Sequence, residues 1–374
     1  MMNPGRLISA CLLAAVLAAG CRIEPPLYLR TQVESVVAVE TEVNVNLMWQ
    51  VDWVAKWTYR WDAAILGPVG YEEPQSMSLH IYPHDDQGGH QSHSVKNFMG
   101  NTTDIPFVVG TYDLLFHNND SEVLLFREEE DGSDDIHCYT RVISSGLKTS
   151  SPVRSQQQKQ VGTKASGKAP ENEPVTLMPD GLFTLFDANH VLSDNPEDYE
   201  LIDGKYVILI KGELNPATYI HLIQINLQNN DGRIIGSGGA VLTGVADGVN
   251  LRTRVASPET VSVPTEVYME DDRDIMGMRL VSFGIPGCNP YSQASVDASV
   301  SEHILVLNVL YANSTFKNIS VDVTDQFRAL PLGGVIELDL DVNDFPPESG
   351  GSGGGFSALI SDWDEVVGGA TITY

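Results

Sequence analysis

The 374 residues carry 22 Lys and Arg against 50 Asp and Glu, a formal net charge of −28. A nucleic-acid partner needs clustered basic side chains against phosphates, so this balance excludes one. With 42% hydrophobic residues and 13 Tyr, the chain has the apolar surface to fold, and its length suits roughly two domains.

The first 20 residues read as a removable leader. Arg6 precedes an apolar run from Leu7 to Ala19, too short to span a bilayer and suited to a signal-peptide core. Removing it takes one positive charge, leaving 21 basic against 50 acidic residues, or −29, on about 354 residues. The end of this run, Leu17-Ala18-Ala19-Gly20-Cys21, is similar to the bacterial lipobox. There, small side chains flank the scissile bond and the Cys thiol takes diacylglycerol, with acyl chains such as palmitate. Cys21 is therefore the expected membrane anchor, since several acyl chains on one residue hold stably. An ordinary secretory signal followed by a chance Cys is the alternative.

Loss of the leader and acylation of Cys21 leave Cys138 and Cys288 in the globule. Two unpaired buried thiols are expected, with a bridge between them as the alternative in an oxidising compartment.

After a Pro-containing tether at 22–29, period-two patterning begins. Val43, Val45, Leu47, Trp49, Val51 and Trp53 alternate with mostly polar residues, which predicts a half-buried strand. Further strands are predicted at 78–82, 105–109, 112–117, 123–127 and 138–143, separated by Gly-, Asn- and Asp-rich turns. Residues 144–174 are rich in Ser, Gln, Lys, Gly and Pro and carry five basic residues, which reads as a linker or long loop.

Strands resume at 205–211 and 219–228 around a turn at 212–216, and Asn230-Asp231-Gly232 reads as a hairpin signal. Others follow at 240–243, 278–283, 304–311, 319–324 and 335–342, with one short helix at 180–186. The organisation expected is a leader at 1–20, an N-terminal β-sandwich at 21–144, a linker or loop at 145–174 and a C-terminal β-sandwich at 175–348. A Gly-rich spacer and terminal strand occupy 349–374. That strand either folds back on its own domain or pairs with another protein.

The motifs for catalysis return nothing that fits. Gly350-Gly351-Ser352-Gly353-Gly354 satisfies G-x-S-x-G, yet it lies in low-complexity spacer and not on a strand-to-helix turn. No zinc-protease helix, phosphate loop or dinucleotide fingerprint is present. A non-enzymatic protein without cofactor is the expectation. His80, His84, His90 and His93 crowd one segment, and imidazoles on a hairpin loop can converge on zinc or copper. His84, His90 and His93 are the weak metal candidates, against a solvated loop. The acidic run at 128–135 fails the calcium-loop spacing and reads as solvated.

Several stretches together carry a resemblance. After the lipobox come LHIYP at 79–83, GTYDLLFHN at 110–118, SDNPEDY at 193–199, Tyr206-Val207, FGIP at 283–286 and DVTDQF at 322–327. This order resembles a Bacteroidetes lipoprotein family catalogued as a domain of unknown function and treated as fimbrillin-like. The resemblance implies two transthyretin-like, fimbrillin-type β-sandwich domains and a pilus subunit, tip or anchor. It implies an outer-membrane or cell-surface location, held through lipidated Cys21. It further implies trimming by an Arg-directed protease, with Arg30 and Arg60 as candidate cuts, and assembly with other subunits or with itself by strand pairing. Residues 370–374 are the candidate donated strand. The alternative is a surface glycan- or host-ligand-binding lipoprotein, for which Trp53, Trp57, Tyr59 and Trp61 would supply stacking faces.

Overall fold

The structure, a computed structural model, describes residues 36–45, 55–85, 93–128, 135–144, 173–270, 274–292 and 301–347. In chain order the strands are β1 (Val36–Val45), β2 (Ser76–Pro83), β3 (Ser94–Met99), β4 (Thr102–Val108), β5 (Gly110–Asn118), β6 (Leu124–Glu128) and β7 (Ile136–Thr140). Next are β8 (Val142–Ser144), β9 (Val175–Thr176), β10 (Phe183–Leu192), β11 (Glu200–Ile202), β12 (Lys205–Pro216), β13 (Tyr219–Gln228) and β14 (Ile234–Ala246). The last are β15 (Gly248–Asn250), β16 (Thr260–Thr265), β17 (Tyr268–Glu270), β18 (Ile275–Ser282), β19 (Ile304–Tyr311), β20 (Phe316–Asp322) and β21 (Gly334–Asp341). Two short helices accompany them, α1 (Ala63–Leu66) and α2 (Thr324–Ala329). Among the described residues no helix is long and apolar enough to cross a membrane.

The all-β expectation holds, and so does the presence of two sandwiches. In the first, the strand order is β3-β2-β5-β10-β12-β1-β4, with β11 on β12. The β10–β12 junction is confined to Phe183↔Pro216 and Thr184↔Asn215, and side chains from both halves share one core. The halves therefore face each other. In β1, Val37, Val39, Thr41 and Val43 are buried while Glu40 and Asn44 are exposed, the alternation of a strand covered on one face. The predicted strand from Val43 overlaps β1 at Val43–Val45, and residues 46–54 lie outside the described ones.

In the second sandwich, β17-β18-β13-β21 faces β20-β19-β14-β16-β9-β8. Its core takes Ile223, Ile225 and Leu227 from β13, Met276, Met278 and Leu280 from β18, and Leu305, Leu307 and Val309 from β19. The opposite face of β13 presents Ile220 and Leu222 to the first core. Both faces of β13 are thus dry, which makes the two sandwiches one packed body. A small third sheet, β15-β7-β6, fills the corner between them over a core of Leu115, Ile136, Cys138 and Phe283 among others.

The connections differ from the expected boundaries. β8 and β9 flank the Ser- and Gln-rich segment and pair with each other, at Val142↔Thr176 and Ser144↔Val175. That segment therefore joins adjacent strands of the second sandwich and does not separate two domains. β10 and β12, placed by sequence in the C-terminal sandwich, pair with β5 and β1 of the first. The chain passes between sandwiches at Ala217-Thr218, where Ala217 N–H donates to Leu182 O at 2.7 Å and Leu182 N–H to Thr218 Oγ1 at 2.9 Å.

Three local expectations are corrected. The helix at 180–186 is instead a turn entering β10, because Phe183 and Thr184 fit a pleated strand paired along β5. The turn at 212–216 is the end of β12, which runs on to Pro216. Asn230-Asp231-Gly232 does turn the chain, with Asp231 and Gly232 at positive φ, but β13 and β14 lie in opposite sheets and form no hairpin.

Candidate functional site

Two places in the fold bring functional candidates together. The first is β1 with the strap that follows it. β1 lies inside its sheet, parallel to β12 (Val39↔Ile208) and antiparallel to β4 (Val39↔Ile105). The described part of the connection to β2 then crosses the outer face of the second sandwich. Thr58 Oγ1 donates to Gln224 Oε1 on β13 at 2.8 Å, and Trp61 meets Tyr268 of β17 edge-on, centroids 5.7 Å apart. Tyr59 is buried over β18: a methyl group at Gly277 would stand 2.6 Å from its ring, so glycine is what admits the strap here. Arg279 donates from Nε to Val69 O at 3.1 Å, and the Tyr71 hydroxyl donates to Thr218 O at the domain junction.

Arg60 sits within this strap. Its backbone N–H donates to Glu270 Oε1 at 2.6 Å and its Nε stands 3.7 Å from Glu270 Oε2, while most of its side chain faces solvent. Of the two candidate cuts, one after Arg60 would separate β1 from the rest of the chain. One after Arg30 would leave β1 attached, because Arg30 precedes Val36. Cys21, Arg30 and the 370–374 segment lie outside the described residues. Trp57 packs partly into the first core and Trp57, Tyr59 and Trp61 contact one another. They do not form an open stacking platform; Trp53 lies outside the described residues.

The second place is the β2–β5 face turned away from the first core. Leu79, Ile81, Leu114 and Phe116 point into that core. Their alternates His80, Tyr82, Asp113 and His117 point the other way, into the corner closed by β6 and β7. Of the predicted trio, His84 and His93 take different partners. His84 Nε2 pairs with Asp113 Oδ1 at 3.0 Å, and Asp113 also accepts from Asn189 N–H at 2.7 Å. His90 lies outside the described residues. His93 instead stacks on His80, centroids 5.7 Å apart, and its Nε2 stands 3.1 Å from Glu128 Oε1.

His80, set aside in the sequence as a strand residue, is therefore the buried member of the group, and Nε2 of His80 and His117 meet at 3.1 Å. Burial lowers the His80 pKa to about 3, helped by His117 and His93, and burial lowers His117 to about 4. The period-two register of 78–84 could have shown that His80, Tyr82 and His84 share a face; His117 and Glu128 carry no local signal. Cys138 and Cys288 are both free, Cys138 buried and Cys288 half-buried.

Residues 66–266 match the family described as a domain of unknown function (DUF5119), just over half of the chain. The chain belongs to this family. The match begins at the end of α1 and runs through β16, taking in strands of both sandwiches and residues 145–172, while β1 and most of the strap precede it. Among solved structures, a candidate adhesin from Bacteroides ovatus is 15% identical at TM-score 0.47, covering 84% of this chain and 94% of its own. The fimbrial anchor protein Mfa2 from Porphyromonas gingivalis is 11% identical at TM-score 0.38, covering 81% and 90%. The tip fimbrial protein Mfa3 from the same organism is 7% identical at 0.34, covering 76% and 81%. With these scores below one half, none of the three fixes the role of this chain. No curated protein matches it by sequence.

Proposed function

We propose that this protein is a non-catalytic, fimbrillin-like surface lipoprotein: a pilus subunit, tip or anchor, held in the outer membrane by acylated Cys21 and serving adhesion. The observation that carries the reading is the placement of β1. It is the first described strand after the expected anchor, it lies inside a sheet, and its outward face bears Glu40, Glu42 and Asn44 where another chain's strand could equally sit. Its loss would leave the facing edges of β12 and β4 unpaired over an apolar core, a groove suited to an added strand. The glycan-binding alternative is less favoured, because Tyr59 is buried and Trp57 packs partly into the first core.

Mass spectrometry of the membrane-extracted native protein tests this at the N-terminus. An acylated start at Cys21 supports a retained anchor or accessory subunit with β1 in place. A start at Trp61 supports strand exchange as the route of assembly, and a start at Thr31 supports trimming that keeps β1. An unmodified start elsewhere overturns the lipoprotein reading. Ladders on unboiled gels would show subunits joined by paired strands.

A further inference from the structure

We propose that His80, His93 and Glu128 bind one divalent transition-metal ion of the zinc class, at the junction of the β2–β3 edge with the end of β6. One ring nitrogen of each histidine and one carboxylate oxygen of Glu128 lie within 4.8 Å of one another. Tetrahedral zinc with bonds of about 2.0–2.2 Å sets its ligand atoms about 3.4 Å apart. Movements of about an ångström, with His93 turning out of its stack on His80, close the set. The two groups that must move are the exposed ones, His93 at 28% and Glu128 at 57% side-chain exposure.

The hydrogen-bond pattern behind the cluster prepares His80 for this role. His117 Nδ1 stands 2.8 Å from Asn118 O, an acceptor, so the nitrogen carries hydrogen and donates. The neutral His117 ring is then an acceptor at Nε2. The His80 Nε2 at 3.1 Å from it must therefore be the donor. That leaves the His80 lone pair on Nδ1, and this atom is buried with no hydrogen-bond partner. A buried, unpartnered lone pair costs stability unless something accepts it, and a metal ion does so. A metal-ligating histidine whose other nitrogen is hydrogen-bonded, and so fixed in tautomer, is the usual support for such a site. Two imidazoles, a carboxylate and a water on the open side make a donor set of the zinc type.

Calorimetric titration of the full mature chain with Zn²⁺, after chelator treatment, tests the proposal without reference to pilus assembly. One ion per chain is expected, with a matching visible absorption when Co²⁺ replaces Zn²⁺. His93→Ala and Glu128→Ala should each weaken binding at least ten-fold, whereas His84→Ala, whose ring is engaged by Asp113, should bind as the parent does. His93→Gln keeps the size of the side chain and guards against a folding defect. Absence of saturable uptake, or equal affinity in the parent, His93→Gln and Glu128→Ala, overturns the site.

Discussion

β1 and β13 hold the same place in their sandwiches. Each pairs parallel to the strand that closes its sandwich, β12 or β21, and antiparallel to a second neighbour, β4 or β18. Topology alone would let an outside strand replace either one. Their outer faces separate them. β13 buries Ile220 and Leu222 in the first core and lays Gln224 under the strap, whereas β1 turns Glu40, Glu42 and Asn44 outward, with Lys211 Nζ 3.1 Å from Glu42. Burial on the second face fixes β13 in the molecule. One-sided burial leaves β1 exchangeable in principle, held by its ladder and by the strap.

The largest effect expected from breaking that order is acidic. Each sandwich buries a histidine pair: His80 with His117 in the first, and His221 with His303, both against Phe327, in the second. Burial lowers His117, His221 and His303 to about 4 and His80 to about 3. A histidine whose folded pKa is depressed stabilises the fold above its unfolded value near 6.5, and this is lost as pH falls from there towards 4. Each is worth about 2–3 kcal/mol across that window, less where two neighbours would charge together. Denaturant midpoints should therefore fall steeply between pH 6.5 and 4.5. Hydrogen exchange at pH 5 should show both sandwiches opening together, because β13 is shared between their cores. Opening of one alone would mean that the joint core is weaker than its burial indicates.

Point substitutions sharpen the contrast on a smaller scale. Leu222→Ala on β13 should cost about 3–4 kcal/mol, since the residue is wholly buried and its loss leaves a cavity in the first core from the second sandwich. Val39→Ala, equally buried on β1, removes two methylene equivalents and should cost about 2 kcal/mol. Glu40→Ala, on the outer face of β1, should change stability by less than about 0.5 kcal/mol. Urea unfolding ranks the three, and a Glu40→Ala loss as large as that of Val39→Ala would show that the outer face of β1 is covered after all.

Much of this architecture was legible because one-sided strands write their burial at period two. β13 and β19 fall at their predicted limits, and the alternation in β21 at Leu338 and Leu340 is seen directly. What failed to show was long-range. Nothing local in Phe183–Leu192 says that it returns to β5, or that β8 and β9 enclose the Ser- and Gln-rich segment as neighbours in one sheet. The candidate metal group was half visible. His93 was named, but the rest depended on which face His80 takes and on β6 bringing Glu128 back 35 residues after His93. Only the packing of two separate sheets decides that, with β2 and β3 in one and β6 in the other.

A local effect is expected at the strap, and it bears most directly on β1. Glu270→Gln keeps an amide oxygen for the Arg60 N–H but removes the charge from that bond and from the Arg60 side chain. The side chain is largely exposed, so its share is small, and the loss of charge assistance should cost about 1 kcal/mol locally. Cleavage of a folded chain proceeds from the locally opened state and follows its population when reclosing is fast. A protease specific for Arg should then cut after Arg60 about five times faster in Glu270→Gln than in the parent, with cutting after Arg30 unchanged. Equal rates at Arg60 would mean that the strap opens without breaking this contact. The hold on β1 would then rest on Tyr59 over Gly277, and Gly277→Ala, which cannot accommodate that ring, would be the substitution that frees it.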